Sequence, residues 1–191
     1  MSVANIIPSE DPTKLTPDNA AEPQHAANWL GVAYTNSLQS ADPSTQTGAV
    51  LVCRRLDEEP IGANGWNHVP FEHTAEQLQD RDWKMANTLH AERAAIFLAV
   101  RLNFSVRNGI LYAPWAACCG CAQAIAMCGV KTVVTHKAMM DKTPPRWRAE
   151  VDSGLNMLWR LGVTVLTYDG PVNLVFPRDV RFDGKYWNPN E

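Results

Sequence analysis

The sequence predicts an α/β protein: a three-layer α/β/α sandwich around a mixed five-stranded sheet. Three observations predict it. Short apolar runs, such as residues 48–53, alternate with segments of helical period, such as residues 90–102. The first two runs, 48–53 and 61–66, are separated mainly by a charged turn at 54–59 and so read as a hairpin. Each of the last three runs is preceded by a helix, which favours parallel strands joined by right-handed crossovers.

Taken in order, residues 1–24 are rich in Pro, Asp, Asn and Ser and are expected to form a flexible arm. Over 25–40, Ala26, Trp29, Leu30, Ala33 and Tyr34 recur at helical spacing, and Asp42-Pro43 stops the helix. After the hairpin, residues 67–89 show no clean period. That is long for a loop and hints at function or a short embedded helix. A helix at 90–102 is followed by an Asn108-Gly109 turn and a strand at 110–113. Next come a helix at 118–128, a strand at 130–136 and a loop at 139–145. A helix at 146–161 ends at Gly162, and 163–168 is the last strand. Residues 25–168 thus form the domain. The tail, 169–191, carries Phe176, Phe182, Tyr186 and Trp187 and is expected to pack on the body or on a neighbouring subunit.

Bulk properties narrow the class. A chain of 191 residues, 46% hydrophobic and 19% charged, suits one globular domain. A net charge of −3 argues against an extended nucleic acid as partner, which would need a broad basic surface. No apolar run reaches the roughly 18 residues of a membrane span, and the N-terminus lacks a secretory pattern. Five cysteines, three of them crowded into 118–121, fit reduced thiols in a cytoplasmic setting better than a disulfide framework.

Two motifs carry chemistry. His90-Ala91-Glu92 opens one helix, and Cys118-Cys119-Gly120-Cys121 opens the next. Cysteines three apart at a helix start lie on one side of it, so both sulfurs reach one ion. His90 supplies a third ligand. Structural zinc is almost always closed by four protein ligands, whereas catalytic zinc keeps one position for water. Glu92, two residues from a ligand, suits a proton shuttle. Together the motifs match the zinc deaminase signature. A Cys118/Cys121 redox pair would leave His90 and Glu92 unexplained, and a structural zinc would need Cys119, which points away from its neighbours on a helix. Cys53 and Cys128 read as small core residues.

At these residues the chain resembles the cytidine and deoxycytidylate deaminase superfamily, and most its deoxycytidylate branch. The resemblance runs over about 29–168. It rests on Asp42-Pro43-Ser44-Thr45-Gln46-Thr47-Gly48, Gly65-Trp66-Asn67, His90-Ala91-Glu92-Arg93, Leu111-Tyr112, Cys118 to Cys121 with Ala122 and Ile125, and Gly129-Val130. It implies a cytidine deaminase-like fold and one catalytic Zn2+ on His90, Cys118 and Cys121. It implies hydrolysis of dCMP to dUMP and ammonia: activated water attacks C4 while Glu92 protonates N3 and then serves the leaving ammonia. The Ala91 amide would bind the base carbonyl. Asn67 would contact the sugar, or simply end its strand as a turn residue.

A homo-oligomer is expected by the same resemblance, and a regulatory nucleotide with Mg2+ would be compatible with it. Three departures stand out: Ala117 where the family usually has proline, His68 for glycine, and Ala94 for asparagine. A phosphate would be met by Arg81, Lys84, Lys137, Arg146 or Arg148, with Ser44 and Thr45 as hydroxyl donors; His136 could also face the pocket. The alternatives are deamination of another nucleoside or modified nucleotide, or of adenosine in tRNA, and a non-catalytic nucleotide-binding subunit.

Overall fold

A computed structural model describes residues 15–16, 18–54, 60–174 and 179–191. Most of the expected arm, the turn at 55–59 and Phe176 lie outside them. The elements run α1 (Pro23–Ser37), β1 (Gly48–Arg54), β2 (Ile61–Trp66), α2 (Ala75–Gln79), α3 (Arg81–Asn87), α4 (Ala91–Arg101), β3 (Ser105–Tyr112), α5 (Cys119–Met127), β4 (Thr132–His136), α6 (Lys137–Asp141), α7 (Pro145–Arg160), β5 (Thr164–Tyr168), β6 (Val180–Phe182) and β7 (Lys185–Trp187). None of the described helices is long and apolar enough to cross a membrane.

The main sheet has the order β2-β1-β3-β4-β5. β1 is antiparallel to both neighbours, and β3, β4 and β5 are parallel. Since β2 and β3 both oppose β1, they point the same way, and α4 is a crossover between them. The units β2-α4-β3, β3-α5-β4 and β4-α7-β5 therefore start their helices at one edge of the sheet, beyond the strands' C-terminal ends.

Strand alternation sorts the core into two layers. Leu51, Leu111 and Val133 face α4, α5 and α7, meeting Ala95, Ile96, Cys121, Ile125 and Leu158. Val50, Ile110, Tyr112 and Val134 face α1 and the C-terminal segment, meeting Leu30, Tyr34, Val172 and Phe182. The alanines of α4 and α5 leave room for close helix–sheet contact. Gly65 makes the tightest of these possible: a β-carbon there would lie 2.2 Å from the Ala91 carbonyl oxygen. The first turn of α4 thus rests directly on β2.

The structure gives form to several segments that the sequence outlined only loosely. Residues 67–89 hold two short helices, α2 and α3, started by a Thr74–Gln77 capping box and by Asp80. Elements of five and seven residues are too short to display a hydrophobic period. α6 occupies part of the expected loop at 139–145. β3 begins at Ser105, well before residue 110, because Asn108 adopts φ 59° and is absorbed as an irregularity within the strand. The tail folds as the hairpin β6–β7, turning at Asp183 (φ 52°) and Gly184 (φ 76°). Both φ values are positive, as a two-residue type I′ turn requires. Val180 and Phe182 are buried against the body, and so are Leu15 and Ala20 from the segment expected as an arm.

His136 is buried between the layers. Its Nδ1 accepts from the Tyr34 hydroxyl at 2.7 Å, and its Nε2 donates to the Gly170 carbonyl at 3.0 Å. Burial holds its pKa below the ordinary value, against the opposing Gly170 hydrogen bond and the Asp169 charge. Burial acts likewise on His25, opposed by Glu22. Below about pH 6.5 the unfolded chain takes up protons that the folded imidazoles resist, so stability is lost as pH falls through that value. Urea midpoints are expected to drop from pH 7 to pH 5, and to drop less in His136→Gln. Equal slopes for wild type and variant would refute this role for His136.

Candidate active site

The two motifs meet because of how their helices begin. His90 is the N-cap of α4 (φ −74°, ψ 153°) and Cys118 the N-cap of α5 (φ −67°, ψ 168°). Neither side chain caps its own helix, so both are available to point across the gap. Cys121 lies one turn into α5, on the same side. His90 Nδ1 lies 3.4 Å from Cys118 Sγ and 3.5 Å from Cys121 Sγ. All three donor atoms fall within 4.8 Å of one another. With zinc–sulfur and zinc–nitrogen bonds of about 2.3 and 2.0 Å, a tetrahedral site has S–N edges of about 3.5 Å. The donor spacing fits zinc. Among the described residues Cys119 is not part of this group, and Cys53 is a fully buried core residue as expected.

The electrostatics follow from crowding. A hydrogen bond from Cys121, helped by His90, holds the Cys118 thiol well below its ordinary value, while the same bond and burial push Cys121 upward. Its hydrogen bond to Cys118 raises the His90 pKa against burial. Glu92 is buried beside them, and desolvation raises its pKa, with the His90 charge opposing. A carboxyl so placed exchanges protons more readily near neutrality than an exposed one.

His90, Glu92 and Cys118 line a cavity of about 450 Å³, as do Ala91, Asn67, Ser44, Thr45, Arg81, Lys84, Arg146, Trp115, Trp147 and Glu150. The wall at 42–47 is an irregular loop shaped by its partners. Asp42 Oδ1 accepts from the amides of Ser44 (2.7 Å) and Thr45 (2.9 Å) and from Lys84 Nζ (2.9 Å). Asn67 spends its amide on the same loop, accepting from the Thr47 amide and donating to the Thr45 carbonyl, both at 2.8 Å.

Of the expected phosphate donors, Ser44, Thr45, Arg81, Lys84 and Arg146 border the cavity. Lys137 instead pairs with Asp141, and Arg148 and His136 do not line the cavity. His68 Nδ1 donates to the Trp66 carbonyl, and Ala94 is buried in the fold. Asp42 shapes this loop through an Asx turn, for which Asp-Pro-Ser-Thr is a ready sequence. Trp115, Trp147 and Glu150 reach the cavity with no local sequence signal.

Residues 23–137 match the family described as the cytidine and deoxycytidylate deaminase zinc-binding region. The chain belongs to this family. It is 36% identical over 66 residues to the deoxycytidylate deaminase of Enterobacteria phage T2, a stretch covering 35% of each chain. It is 30% identical over 112 residues to the deoxycytidylate deaminase of Mus musculus, covering 56% of this chain and 61% of the mouse one. The matched stretches thus span less than two thirds of these relatives. Its fold is similar to that of the dCMP deaminase from cyanophage S-TIM5 in complex with dCMP and dUMP, with a TM-score of 0.53 at 22% identity over 73% of this chain and 93% of the other. Arg146, Trp147, Glu150 and the C-terminal hairpin lie beyond the family match.

Ala117, the residue directly before Cys118, is held by packing. A β-carbon on Gly154 of α7 would come 1.9 Å from the Ala117 carbonyl oxygen, so α7 lies against the residue preceding Cys118. A mid-helix Gly→Ala change ordinarily stabilises by about 1 kcal/mol. Here Gly154→Ala is expected to destabilise by about 1–3 kcal/mol through overpacking, and to lower zinc content by displacing the cysteine loop. Denaturation and metal analysis read the two effects. A more stable variant with full zinc would show that α7 does not constrain the loop.

Proposed function

We propose that the protein hydrolyses dCMP to dUMP and ammonia, with zinc held by His90 Nδ1, Cys118 Sγ and Cys121 Sγ. The carrying observation is the donor trio at tetrahedral-edge distances with the buried Glu92 beside it. Three protein ligands leave one position open. A zinc ion so held supplies Lewis-acid activation of water, lowering its pKa to about 7.

The protein's own groups do the rest. Glu92 accepts the proton released by the attacking water, delivers it to N3 of the cytosine, and then carries a proton to the departing amino group. One carboxylate serves each transfer in turn, which is general acid–base catalysis. The Ala91 amide sits in the first turn of α4, where no helical carbonyl is available to it, and donates to the base carbonyl. Asn67 fixes the Thr45–Thr47 wall and faces the sugar. Arg81, Lys84 and Arg146, with the Ser44 and Thr45 hydroxyls, receive the phosphate. Assembly as a homo-oligomer is part of the same proposal. It is supported by Phe97, Met127 and Trp159, which leave apolar side chains exposed on the α4–α5–α7 layer.

A second reading, an uncharged nucleoside or a modified cytosine nucleotide, is favoured by one observation. Lys84 and Arg146 are paired with Asp42 and Asp183, and Glu150 also lines the cavity. Among the described residues, Arg81 is the cavity cation without a carboxylate partner.

Ammonia release from dCMP, CMP, deoxycytidine, dCTP and dAMP separates these readings. Turnover confined to dCMP is expected, whereas preference for deoxycytidine would favour the second. Glu92→Gln is expected to retain zinc and lose about 10³-fold in kcat, within the span of a positioned proton shuttle. A Glu92→Gln enzyme with kcat near wild type would remove Glu92 from the mechanism. Cys118→Ser is expected to lose both zinc and activity, read by metal analysis beside turnover.

A further inference from the structure

We propose that the Asp183–Gly184 turn of the β6–β7 hairpin is a positioning element of the pocket. It locks the Ser44–Thr45 wall and Arg146 around the anionic end of the ligand. Which ligand is held there rests on the dCMP reading above; the contacts do not.

The hairpin tip reaches the pocket loop across more than a hundred residues of sequence. The Gly184 amide donates to the Ser44 carbonyl at 2.8 Å, and the Asp183 amide donates to Thr45 Oγ1 at 3.2 Å. Behind the tip, the Gln46 amide donates to the Arg181 carbonyl at 2.8 Å. The Asp183 carboxylate pairs with the guanidinium of Arg146, a residue of α7 that borders the cavity. One two-residue turn therefore ties together two walls that approach the cavity from different elements.

The chemistry at each end is informative. Thr45 Oγ1 uses a lone pair on Asp183, so its proton remains free to be donated elsewhere. Arg146 presents five N–H donors in a rigid fork, and the pair with Asp183 leaves others for an anion. The pair also restricts a long side chain before any ligand arrives, which lowers the ordering cost of binding. Its side chains are 50% and 34% exposed, so the pair adds little to fold stability. Its consequence falls on binding. Both turn residues have positive φ, a conformation that Asn and Gly adopt readily and β-branched residues do not.

Asp183→Asn keeps the turn and removes only the charge. Its KM for dCMP is expected to rise about tenfold, the effect of losing one charge-assisted contact, with kcat within twofold and Tm unchanged. Arg146→Ala should raise KM similarly, and the double variant should add nothing further. Gly184→Val opens the turn itself and should speed hydrogen exchange at the Gln46 amide. A wild-type KM in Asp183→Asn, a loss confined to kcat, or additive effects in the double variant would overturn the proposal. Wild-type protein inactive on every nucleotide would instead sink the dCMP reading. The exchange arm then decides alone: faster exchange at Gln46 in Gly184→Val supports the latch, and unchanged exchange refutes it.

Discussion

The molecule depends on two helices that begin at the same point. α4 follows β2 and α5 follows β3, and the intervening β1 runs the other way, so both helices start at one edge of the sheet. Each starts on an extended N-cap residue whose side chain leaves its own helix uncapped. The unsatisfied amides and partial positive charge of both N-termini converge there, in a setting that favours thiolates and other anions. The close approach of α4 to β2 at Gly65 and of α7 to the cysteine loop at Gly154 keeps that meeting point from spreading. A fold of this kind is common; the side chains placed at this edge, His90, Cys118 and Cys121 with Glu92 beside them, give this one its chemical character.

How much was legible in the sequence differs between chemistry and shape. The convergence of His90, Cys118 and Cys121 was readable because a metal-ligand set demands particular residue types at particular spacings, and few other uses satisfy the same pattern. The sheet was readable because buried strands must be apolar and connections must be short and right-handed. The cavity's outer wall was less so. Trp115, Trp147 and Glu150 come together only through tertiary packing, and nothing in a stretch such as Pro145 to Glu150 marks a pocket. Asn67 was read as a sugar contact or a strand end, and its amide is engaged with the loop at Thr45 and Thr47. The hairpin at Asp183-Gly184 carried a local signal, but strands of three residues are too short to draw attention.

The site is thus assembled in two tiers with different physics. The inner tier, on helix N-termini and strand ends, is rigid because regular backbone hydrogen bonding and close packing hold it. The outer tier is an irregular loop whose amides and carbonyls are satisfied by Asp42, Asn67 and the hairpin. In the proposed function, chemistry at a fixed atom falls to the first, and recognition of the remainder of the ligand to the second. Such a division allows the outer tier to vary while the reacting centre stays the same.

The pair of indoles in the cavity has an optical consequence. Trp115 and Trp147 meet edge to face, with ring centroids 6.5 Å apart and an interplanar angle of 86°, and Trp115 also donates to Thr143 at 2.9 Å. Indole emission responds to local polarity and to stacked aromatic rings, and a planar ligand in the cavity would change both. Two of the seven tryptophans therefore sit where occupancy alters their surroundings. The intrinsic fluorescence of the unlabelled protein is a built-in reporter of what fills the cavity, whether or not that molecule is turned over.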